Sequence, residues 1–326
     1  MRFSILCAGG IARKLAETVR GMKDVQLYAI ASRDVEKARA YAQEYGFEKA
    51  YGSYEEMLAD PKVELVYIAV PHSHHHQWTI AALNAGKHVL CEKAFAANEA
   101  QAREMLAVAE EKKLLLTEAI WTRYMPSRRM IDDILAGGAI GEICTVSSNL
   151  GYRIDMNERM VRPELCGGCL LDLTVYTLNF SSMILGDDIR EMHAHCVMTD
   201  TGVDGQDTVT IAYNNGKMAS MFTTMYTLTD RSGYIYGRDG YLEVVNINNP
   251  SEIRLWGADR NAPEILKTYA VPEQITGYEY EVLACKKAIE EGRIECPEMP
   301  HSETLEIMRQ MDAIRAQFGI RFPGID

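Results

Sequence analysis

The sequence predicts an α/β protein whose first part is a parallel sheet with crossover helices and whose second part is an α+β domain. Two observations carry this prediction. Short apolar runs alternate with charged, Ala-rich helical stretches at the start of the chain, as in successive strand–helix–strand units. Later, long β-rich runs are joined by hairpin turn signals, which is typical of a large, mostly antiparallel open sheet. A chain of 326 residues suits about two domains, which we place at 1–120 and 121–326.

The elements of the first part are predicted from its apolar periodicity. Asn98 followed by Gln101 has the spacing of a capping box, which marks the start of a helix. The strands are expected at FSILCA, 25–32, 64–70, KHVLCE and 114–120, and the helices at 11–20, 34–45, 74–85 and 98–112.

The second part is predicted in the same way. Asn214-Asn215-Gly216 and Arg238-Asp239-Gly240 are hairpin turn signals, so the strands that flank them are expected to run antiparallel. The helices are expected at 126–136, 169–185, 277–291 and 301–318, and the strands in ICTVSSNLGY, DTVTIAYNN, KMASMFTTMY and YIYGRDGYLEVV.

Composition excludes several classes of protein. The net charge is −12, and so acidic a chain argues against nucleic acid or an anionic membrane as the partner. No stretch approaches the ~20 uninterrupted apolar residues of a membrane span. The scattered Cys residues suit reduced thiols, and MRFSILCAGGIARK is better explained as a strand and turn than as a signal peptide. We therefore expect a cytoplasmic protein.

Two clusters invite a metal interpretation, and neither is adopted. Cys166 and Cys169 have CxxC spacing, but without a second pair they are weak evidence for metal or redox chemistry. The segment HSHHH at 72–76 points adjacent His side chains in different directions, and no Cys or acid is spaced to complete a site. No metal site is predicted.

A glycine turn after the first strand predicts a dinucleotide site. The fingerprint G-x-G-x-x-G/A between a strand and a helix lets the backbone approach a pyrophosphate, which binds the free N–H groups of the helix start. Here the first glycine is replaced by Cys7. The predicted phosphate-binding turn of this Rossmann domain consists of Ala8, Gly9, Gly10, Ile11 and Ala12.

The end of the second strand predicts the type of cofactor. An acid there suits the ribose of NAD, whereas an Arg suits the 2′-phosphate of NADP. Ser32 and Arg33 offer a hydroxyl and a guanidinium, and Asp34 is placed to cap the next helix. We expect NADP(H) to be favoured, with NAD(H) possible.

Charged side chains follow buried strands where a ligand would bind. Glu92 and Lys93 end one strand, and Pro71 and His72 follow the preceding one. Because ligands of open α/β sheets bind outside the carboxyl ends of the strands, these residues are expected to face one crevice. A structural role is the alternative for Glu92.

A second informative stretch is CGGCLLDLTVYTLNF, at 166–180, which predicts a helix that is apolar almost all round and therefore buried. Asp172 and Tyr176 interrupt it at i, i+4, on one face. A buried Asp needs a cation or hydrogen-bond donors. Lys93, Asp172 and Tyr176 next to a nicotinamide would form a proton-transfer set, because an ammonium favours the phenolate form of a tyrosine.

Several segments, in order along nearly the whole chain, resemble the Gfo/Idh/MocA oxidoreductases, and within them the branch of dimeric dihydrodiol dehydrogenases and sugar reductases. They are AGGIA, AVPHSHHH, AGKHVLCEK, EAIWTRYMP, GGCLLDLTVY, GYEYEVLACKKAIEEG and HSETLEIMRQMDAIR.

The resemblance implies roles for single residues. It makes Lys93 the catalytic lysine of an E-K-P motif, with Ala94 in place of the proline. Asp172 matches the acid of a second motif, and Tyr176 matches the acid–base position. It also implies that His75 lies near the cofactor and that His72 lines the nicotinamide crevice.

Three further residues are candidates for substrate contact. Trp121 and Arg123 follow the last strand of the first part, where they contact substrate or pack the domain junction. Arg162 precedes the glycine pair, where it reaches substrate or lies on the surface.

The expected function is NAD(P)-dependent hydride transfer on a secondary alcohol, a vicinal diol or a sugar-derived carbonyl, with a small polyol, diol or sugar as substrate. The alternatives are a glycosidase that oxidises its sugar transiently and a non-catalytic sugar or dinucleotide sensor. The resemblance implies a homodimer or homotetramer, and the exposed face of the large sheet is the expected subunit interface.

Overall fold

A computed structural model describes residues 1–325. By backbone contacts the chain divides into two compact units. The first comprises Met1–Tyr124 and Gln274–Met308, and the second comprises Met125–Glu273 and the residues from Arg309 onward. Residues 274–308, expected in the second domain, therefore pack with the first unit. The boundary at 120/121 between independently folding domains stays a prediction.

The first unit is built on a parallel six-stranded sheet with strand order β3-β2-β1-β4-β5-β6. Its central strands are buried along almost their whole length, which explains why they are continuous apolar runs in the sequence. The strands are β1 (Arg2–Leu6), β2 (Gln26–Ala31), β3 (Lys49–Tyr51), β4 (Leu65–Ile68), β5 (His88–Glu92) and β6 (Leu116–Ala119).

Helices connect these strands. The strand order reverses between β1 and β4, and such a switch point is where doubly wound sheets bind ligands. The predicted cap is confirmed, because the Gln101 N–H donates to Asn98 Oδ1 at 2.9 Å. The helices are α1 (Gly10–Arg20), α2 (Val35–Tyr45), α3 (Tyr54–Ala59), α4 (His75–Asn84) and α5 (Glu99–Lys112).

The second unit contains an eight-stranded sheet with order β14-β13-β12-β11-β7-β10-β9-β8. Neighbouring strands run antiparallel except β7 and β10, which are parallel. Both predicted hairpin turns are confirmed, since they join β9 to β10 and β11 to β12. The strands are β7 (Ile143–Gly151), β8 (Ile189–Met198), β9 (Asp204–Tyr213), β10 (Met218–Thr224), β11 (Gly233–Gly237), β12 (Gly240–Val245), β13 (Glu252–Gly257) and β14 (Ile265–Ala270).

The helices of the later part of the chain are α6 (Pro126–Ala136), α7 (Val175–Leu185), α8 (Glu279–Glu290) and α9 (His301–Phe318). A π-helical turn, Leu170–Thr174, leads into α7, and α7 packs against β7 and β10. Pro163–Leu185 is long and apolar enough to cross a membrane by length and composition, and 89% of its most apolar window is buried inside the protein. The π-helical turn and α7 within this segment therefore form the core helix of the second unit, as the apolar pattern predicted.

The predicted fold class is confirmed, but the sequence analysis assigned no strand to β3, β8, β13 or β14 and no helix to α3. The cause is visible in their burial. β14 is exposed along nearly its whole length, and β8 is exposed or half-buried everywhere except at Ala194, so neither shows a clear alternation of buried and exposed residues.

Candidate functional site

The turn after β1 has the form of a phosphate site. Gly9 is the N-cap of α1, and among the described residues no side chain caps this helix, so its first N–H groups remain available to an anion. A Cβ built on Gly9 or Gly10 would meet no described atom within 4 Å, so the space over the turn is open. The turn therefore fits the pyrophosphate of a dinucleotide.

Cys7 occupies the conformation for which the fingerprint uses glycine. Its φ is 94°, in the region that side chains other than glycine rarely adopt. The Cys7 N–H donates to the Ala31 carbonyl at 3.0 Å, which ties the end of β1 to the end of β2. The substitution of cysteine for glycine thus keeps the turn in the geometry that the motif requires.

The end of β2 carries the residues expected to select the cofactor. Asp34 caps α2, as predicted, because its Oδ1 accepts the N–H groups of Glu36 at 3.0 Å and Lys37 at 3.2 Å. Arg33 is exposed, and burial together with the nearby Arg33 guanidinium lowers the pKa of His74. The Asp34 carboxylate is therefore engaged as the cap of α2, while the Arg33 guanidinium lies at the end of β2.

The loop that follows Lys93 is held by side chains from neighbouring segments. His72 Nε2 lies 3.2 Å from the Lys93 carbonyl oxygen. His75 Nδ1 lies 2.8 Å from the Ala94 carbonyl oxygen, and its Nε2 lies 2.9 Å from that of Val70. The Lys93–Ala94 peptide bond is cis. These contacts fix the backbone at the point where β5 delivers the lysine.

Glu118 supplies one more contact to this loop. The Phe95 N–H donates to Glu118 Oε1 at 3.2 Å, and Glu118 is 1% exposed. Burial raises the pKa of Glu118 to about 7, against the effect of the nearby Arg123. Burial lowers the pKa of His75 to about 4, so at neutral pH its ring carries one N–H and donates to one of its two carbonyl neighbours at a time.

Glu92 points away from solvent. The Tyr67 hydroxyl donates to Glu92 Oε1, and both residues are buried. Burial, and then the negative charge of Glu92, raise the pKa of Glu281 on α8, which is fully buried. The geometry thus gives Glu92 a structural contact, and its role in binding cofactor stays a prediction.

The second unit holds the other predicted proton-transfer residues. Asp172 lies in the π-helical turn and Tyr176 in the first turn of α7, and both are buried. Arg159 Nη2 donates to Asp172 Oδ1 at 3.0 Å. The expectation that Asp172 needs a cation is therefore confirmed, with Arg159 as a partner that the sequence analysis did not identify.

The three candidate substrate residues have contacts of their own. Trp121 stacks on Tyr278 with ring centroids 4.0 Å apart. Arg123 is 7% exposed and pairs with Glu303 at 2.9 Å. Arg162 is exposed and pairs with acidic residues on either side of it in sequence. Their roles toward substrate stay predictions.

Within the first unit, the structure brings Lys93 together with His72, His75 and Glu118 around one loop. Glu118 was missed, although a carboxylate inside the apolar run LLLTEAI is the same kind of signal that drew attention to Glu92. Within residues 1–325, no group of three or more His, Cys, Asp or Glu side chains is arranged to hold a metal ion.

Comparison with known proteins identifies both parts of the chain. Residues 1–120 match the model of an oxidoreductase family with an NAD-binding Rossmann fold, and residues 129–243 match a GFO/IDH/MocA C-terminal domain. The mouse trans-1,2-dihydrobenzene-1,2-diol dehydrogenase is 31% identical over 99% of this chain and 98% of its own length.

Solved structures share the fold. The 3-ketoreductase KijD10 of Actinomadura kijaniata, in complex with NADP and TDP-benzene, aligns with a TM-score of 0.88 at 24% identity, over 98% of each chain. The aldose-aldose oxidoreductase of Caulobacter crescentus, complexed with glycerol, aligns with a TM-score of 0.85 at 22% identity, over 97% of each chain.

Proposed function

We propose, from the premise that this chain belongs to the GFO/IDH/MocA oxidoreductase family, that it is an NAD(P)-dependent dehydrogenase or reductase acting on CH–OH groups. Its substrates are vicinal diols, secondary alcohols or sugar-derived carbonyls. The similarity to a dihydrodiol dehydrogenase over almost the full length of both chains supports this substrate class.

NADP(H) is the favoured cofactor, and NAD(H) is the second choice. The proposal assigns the pyrophosphate to the turn Ala8–Ala12, where N–H groups of α1 face open space. It assigns the 2′-phosphate to Arg33 and Ser32, because Asp34 is engaged as the cap of α2. Pro71, His72 and His75 complete the proposed cofactor set.

The proposed chemistry divides proton handling among three side chains. When bound, the nicotinamide supplies or accepts hydride at its C4. Tyr176 takes the hydroxyl proton during oxidation and returns it during reduction. The Lys93 ammonium stabilises the developing alkoxide or phenolate, and Asp172 orients one of these two groups. Trp121, Arg123 and Arg162 are the proposed substrate contacts.

The observation that carries the proposal is the backbone of the Lys93 loop. It follows β5 at the carboxyl edge of a parallel sheet, and His72, His75 and Glu118 fix it there. A backbone so constrained delivers the Lys93 side chain from a fixed point at this edge of the sheet, and preorganised charge of this kind is what electrostatic stabilisation of a transition state requires.

The test is a binding titration with NADPH and NADH, followed by turnover assays on diols, inositols and ketosugars. Tight NADPH binding and nicotinamide-coupled turnover of one substrate class support the proposal. Release of nitrophenol from a glycoside without net cofactor reduction would identify a glycosidase. Cofactor binding without turnover of any polyol would identify a sensor.

The proposed assembly is a homodimer or homotetramer in the cytoplasm. Apolar side chains lie exposed on the sheet of the second unit, among them Phe222 at 46% and Met218 at 50% exposure on β10. An exposed apolar sheet face of this kind is typical of a surface that becomes buried when subunits associate.

A further inference from the structure

Two acidic residues of β9, Asp204 and Asp207, meet the helix that carries Asp172 and Tyr176. The Leu170 N–H, at the start of the π-helical turn, donates to Asp204 Oδ2. The Thr174 hydroxyl, at the end of the same turn, donates to Asp207 Oδ2 at 2.6 Å. The two carboxyl groups therefore hold both ends of the turn in which Asp172 lies.

The approach of Asp204 to this turn is close because of a glycine. Gly168 has φ +108°, and a Cβ there would lie 2.2 Å from Asp204 Oδ1. No other residue fits that position without moving the carboxyl group or the turn. Gly168, one of the two glycines noted in the sequence, therefore lets the Asp204 carboxyl group approach the start of the helix.

The strand register explains why both acids face inward. Residues three apart on a regular strand point to opposite faces, yet Asp204 is 1% and Asp207 is 2% exposed. The pairing of β8 with β9 shifts register between Val197 and Met198, opposite the start of β9. This irregularity turns Asp204 to the same side as Asp207.

The pair receives neutral donors but no cation: Asp204 accepts backbone N–H groups at the start of the turn, and Asp207 accepts the Thr174 hydroxyl with Thr223 beside it. Asp207 Oδ1 is buried without a hydrogen-bond donor among the described residues. The carboxyl groups of Asp204 and Asp207 lie within hydrogen-bond reach of each other, and within residues 1–325 no Lys or Arg pairs with either of them. Two carboxylates in such a site cannot both ionise, and a shared proton satisfies the orphan oxygen.

We propose that Asp204 and Asp207 share one proton as a hydrogen-bonded acid pair. The pair acts as positioning residues: it holds the π-helical turn of Asp172 and the first turn of α7 in the geometry needed for proton transfer. The inference rests on the proposed function for its catalytic consequence. It goes beyond that function in assigning a role to two acids outside the proposed catalytic, cofactor and substrate residues.

The pKa values of both acids are raised in the folded protein. Burial, and then the charge of Asp204, raise the pKa of Asp207, and burial raises the pKa of Asp204. The other titratable groups near the pair are Cys169 on the helix side, which also feels the charge of Asp172, Cys196 on β8, and Tyr226, which lies against Gly205. Burial, then the two acids, raise the pKa of both thiols, so the thiols stay neutral.

The experiment compares the full-length wild type with Asp207→Asn, Asp207→Ala and the matched surface control Asp200→Asn. Infrared spectra at neutral pH report the carbonyl band of a protonated carboxyl group, and urea unfolding is followed across the acid range. Turnover with NADPH gives kcat and KM against pH. Asp207→Asn keeps a donor toward Asp204, whereas Asp207→Ala removes every polar contact of this side chain.

We expect a protonated-carboxyl band in the difference spectra of the wild type and of Asp200→Asn against Asp207→Asn, because bands from Glu118 and Glu281, whose pKa values burial also raises, cancel in these differences. We also expect the urea midpoint of the wild type to fall more steeply with rising pH than that of Asp207→Asn, because the folded acid holds a proton that the unfolded chain has released. Asp207→Ala should lose ~10-fold or more in kcat with little change in the KM for NADPH, and Asp207→Asn should recover most of that loss.

A difference spectrum between the wild type and Asp207→Asn that has no acid band, or an Asp207→Ala variant with wild-type kcat and pH profile, overturns the proposal. A wild type that binds NADPH but turns over no substrate contradicts the proposed function instead. The infrared and unfolding results then still decide whether the two acids share a proton, because neither requires a substrate.

Discussion

At the residue scale, the chemistry depends on groups whose backbone is fixed by buried polar contacts. Lys93 is the clearest case, since the loop that begins with it is bound by two imidazoles and a carboxyl group from other segments of the first unit. Such contacts fix the backbone from which the Lys93 side chain extends. The same logic applies to Asp172, which lies in a turn held at both ends.

Replacement of Lys93 tests its proposed role. Lys93→Met removes the ammonium and keeps most of the side-chain volume, so we expect a fall in kcat of ~10²–10⁴-fold with the Kd for NADPH nearly unchanged. Steady-state kinetics and a fluorescence titration measure the two quantities. The control is Lys112→Met, at the exposed end of α5, and equal kcat values for the two variants would remove Lys93 from the mechanism.

Replacement of Arg33 tests the choice of cofactor. A charge-assisted hydrogen bond to phosphate contributes ~1.5–3 kcal/mol, so Arg33→Ala should weaken NADPH binding about 10–100-fold and leave NADH binding nearly unchanged. Calorimetric titration with both nucleotides measures this difference. Arg39→Ala, which removes an exposed ion pair with Glu36 on α2, is the control. A loss shared equally by both nucleotides would rule out a 2′-phosphate contact.

The residues that could be predicted are those that break an apolar pattern. Lys93 and Asp172 stand out because a charge follows a buried strand or interrupts a buried helix. Arg159 does not, because it lies 13 residues before Asp172 in a short 3-10 helix, Glu158–Val161, and only the fold brings the two together. The contact of Glu118 with the Phe95 N–H depends on the pairing of β5 with β6, which no local pattern specifies.

At the scale of elements, the connection between β4 and α4 acts together with the loop after β5. His75 opens α4 and reaches the carbonyl oxygens of Val70 and Ala94, which follow two adjacent parallel strands. One imidazole thereby links two loops at the carboxyl edge of the sheet.

This link should make stability depend on pH in the acid range. Burial lowers the pKa of His75 from 6.5 to about 4. The unfolded chain therefore binds a proton that the folded protein excludes, and the stability contributed by neutral His75 is present above pH 6.5 and is lost as the pH falls toward 4. The loss attributable to this group is about 3 kcal/mol.

Urea unfolding of the wild type, His75→Asn and His76→Asn from neutral to acid pH measures this effect. His76 lies at the next position and pairs with Glu104 on α5, so it is the matched control. We expect the wild type and His76→Asn to lose more stability on acidification than His75→Asn. Parallel curves for all three proteins would show that His75 is not neutral in the folded state.

The strands that sequence alone predicted well are those buried on both faces. β1, β2, β4 and β5 are buried through most of their length, and their apolar runs marked them. β3 spans three half-buried residues and β14 is an exposed edge strand, so neither carries a hydrophobic period. The π-helical form of residues 170–174 has no signature in composition and depends on contacts with Asp204 and Asp207.

At the scale of the whole molecule, the sequence predicted the two kinds of sheet but not which later residues pack with which unit. Residues 274–308 belong to the first unit although they follow the large sheet of the second. The cause is tertiary: the Leu116 N–H donates to the Ile294 carbonyl at 3.0 Å, and His301 Nε2 lies 2.8 Å from the Leu116 carbonyl oxygen. Contacts that join such distant segments leave no mark on local periodicity.

We predict that the protein self-associates through the sheet of the second unit. The double replacement Met218→Lys and Phe222→Lys places two charges on the exposed face of β10 and should convert the oligomer to a monomer. Size-exclusion chromatography with light scattering measures the mass. Met156→Lys, at an 85% exposed position of the same unit, should leave the oligomer intact. An unchanged mass in the double variant would place the interface elsewhere.

The central claim is that the protein transfers hydride between a nicotinamide and a CH–OH carbon. Its most direct test follows deuterium from C4-deuterated NADPH into product by mass spectrometry, across a panel of ketosugars and diol-derived ketones. The account predicts deuterium on the carbinol carbon of one substrate class with the wild type, and at least ~10²-fold slower transfer with Lys93→Met. Tight NADPH binding with no transfer to any member of the panel would contradict it.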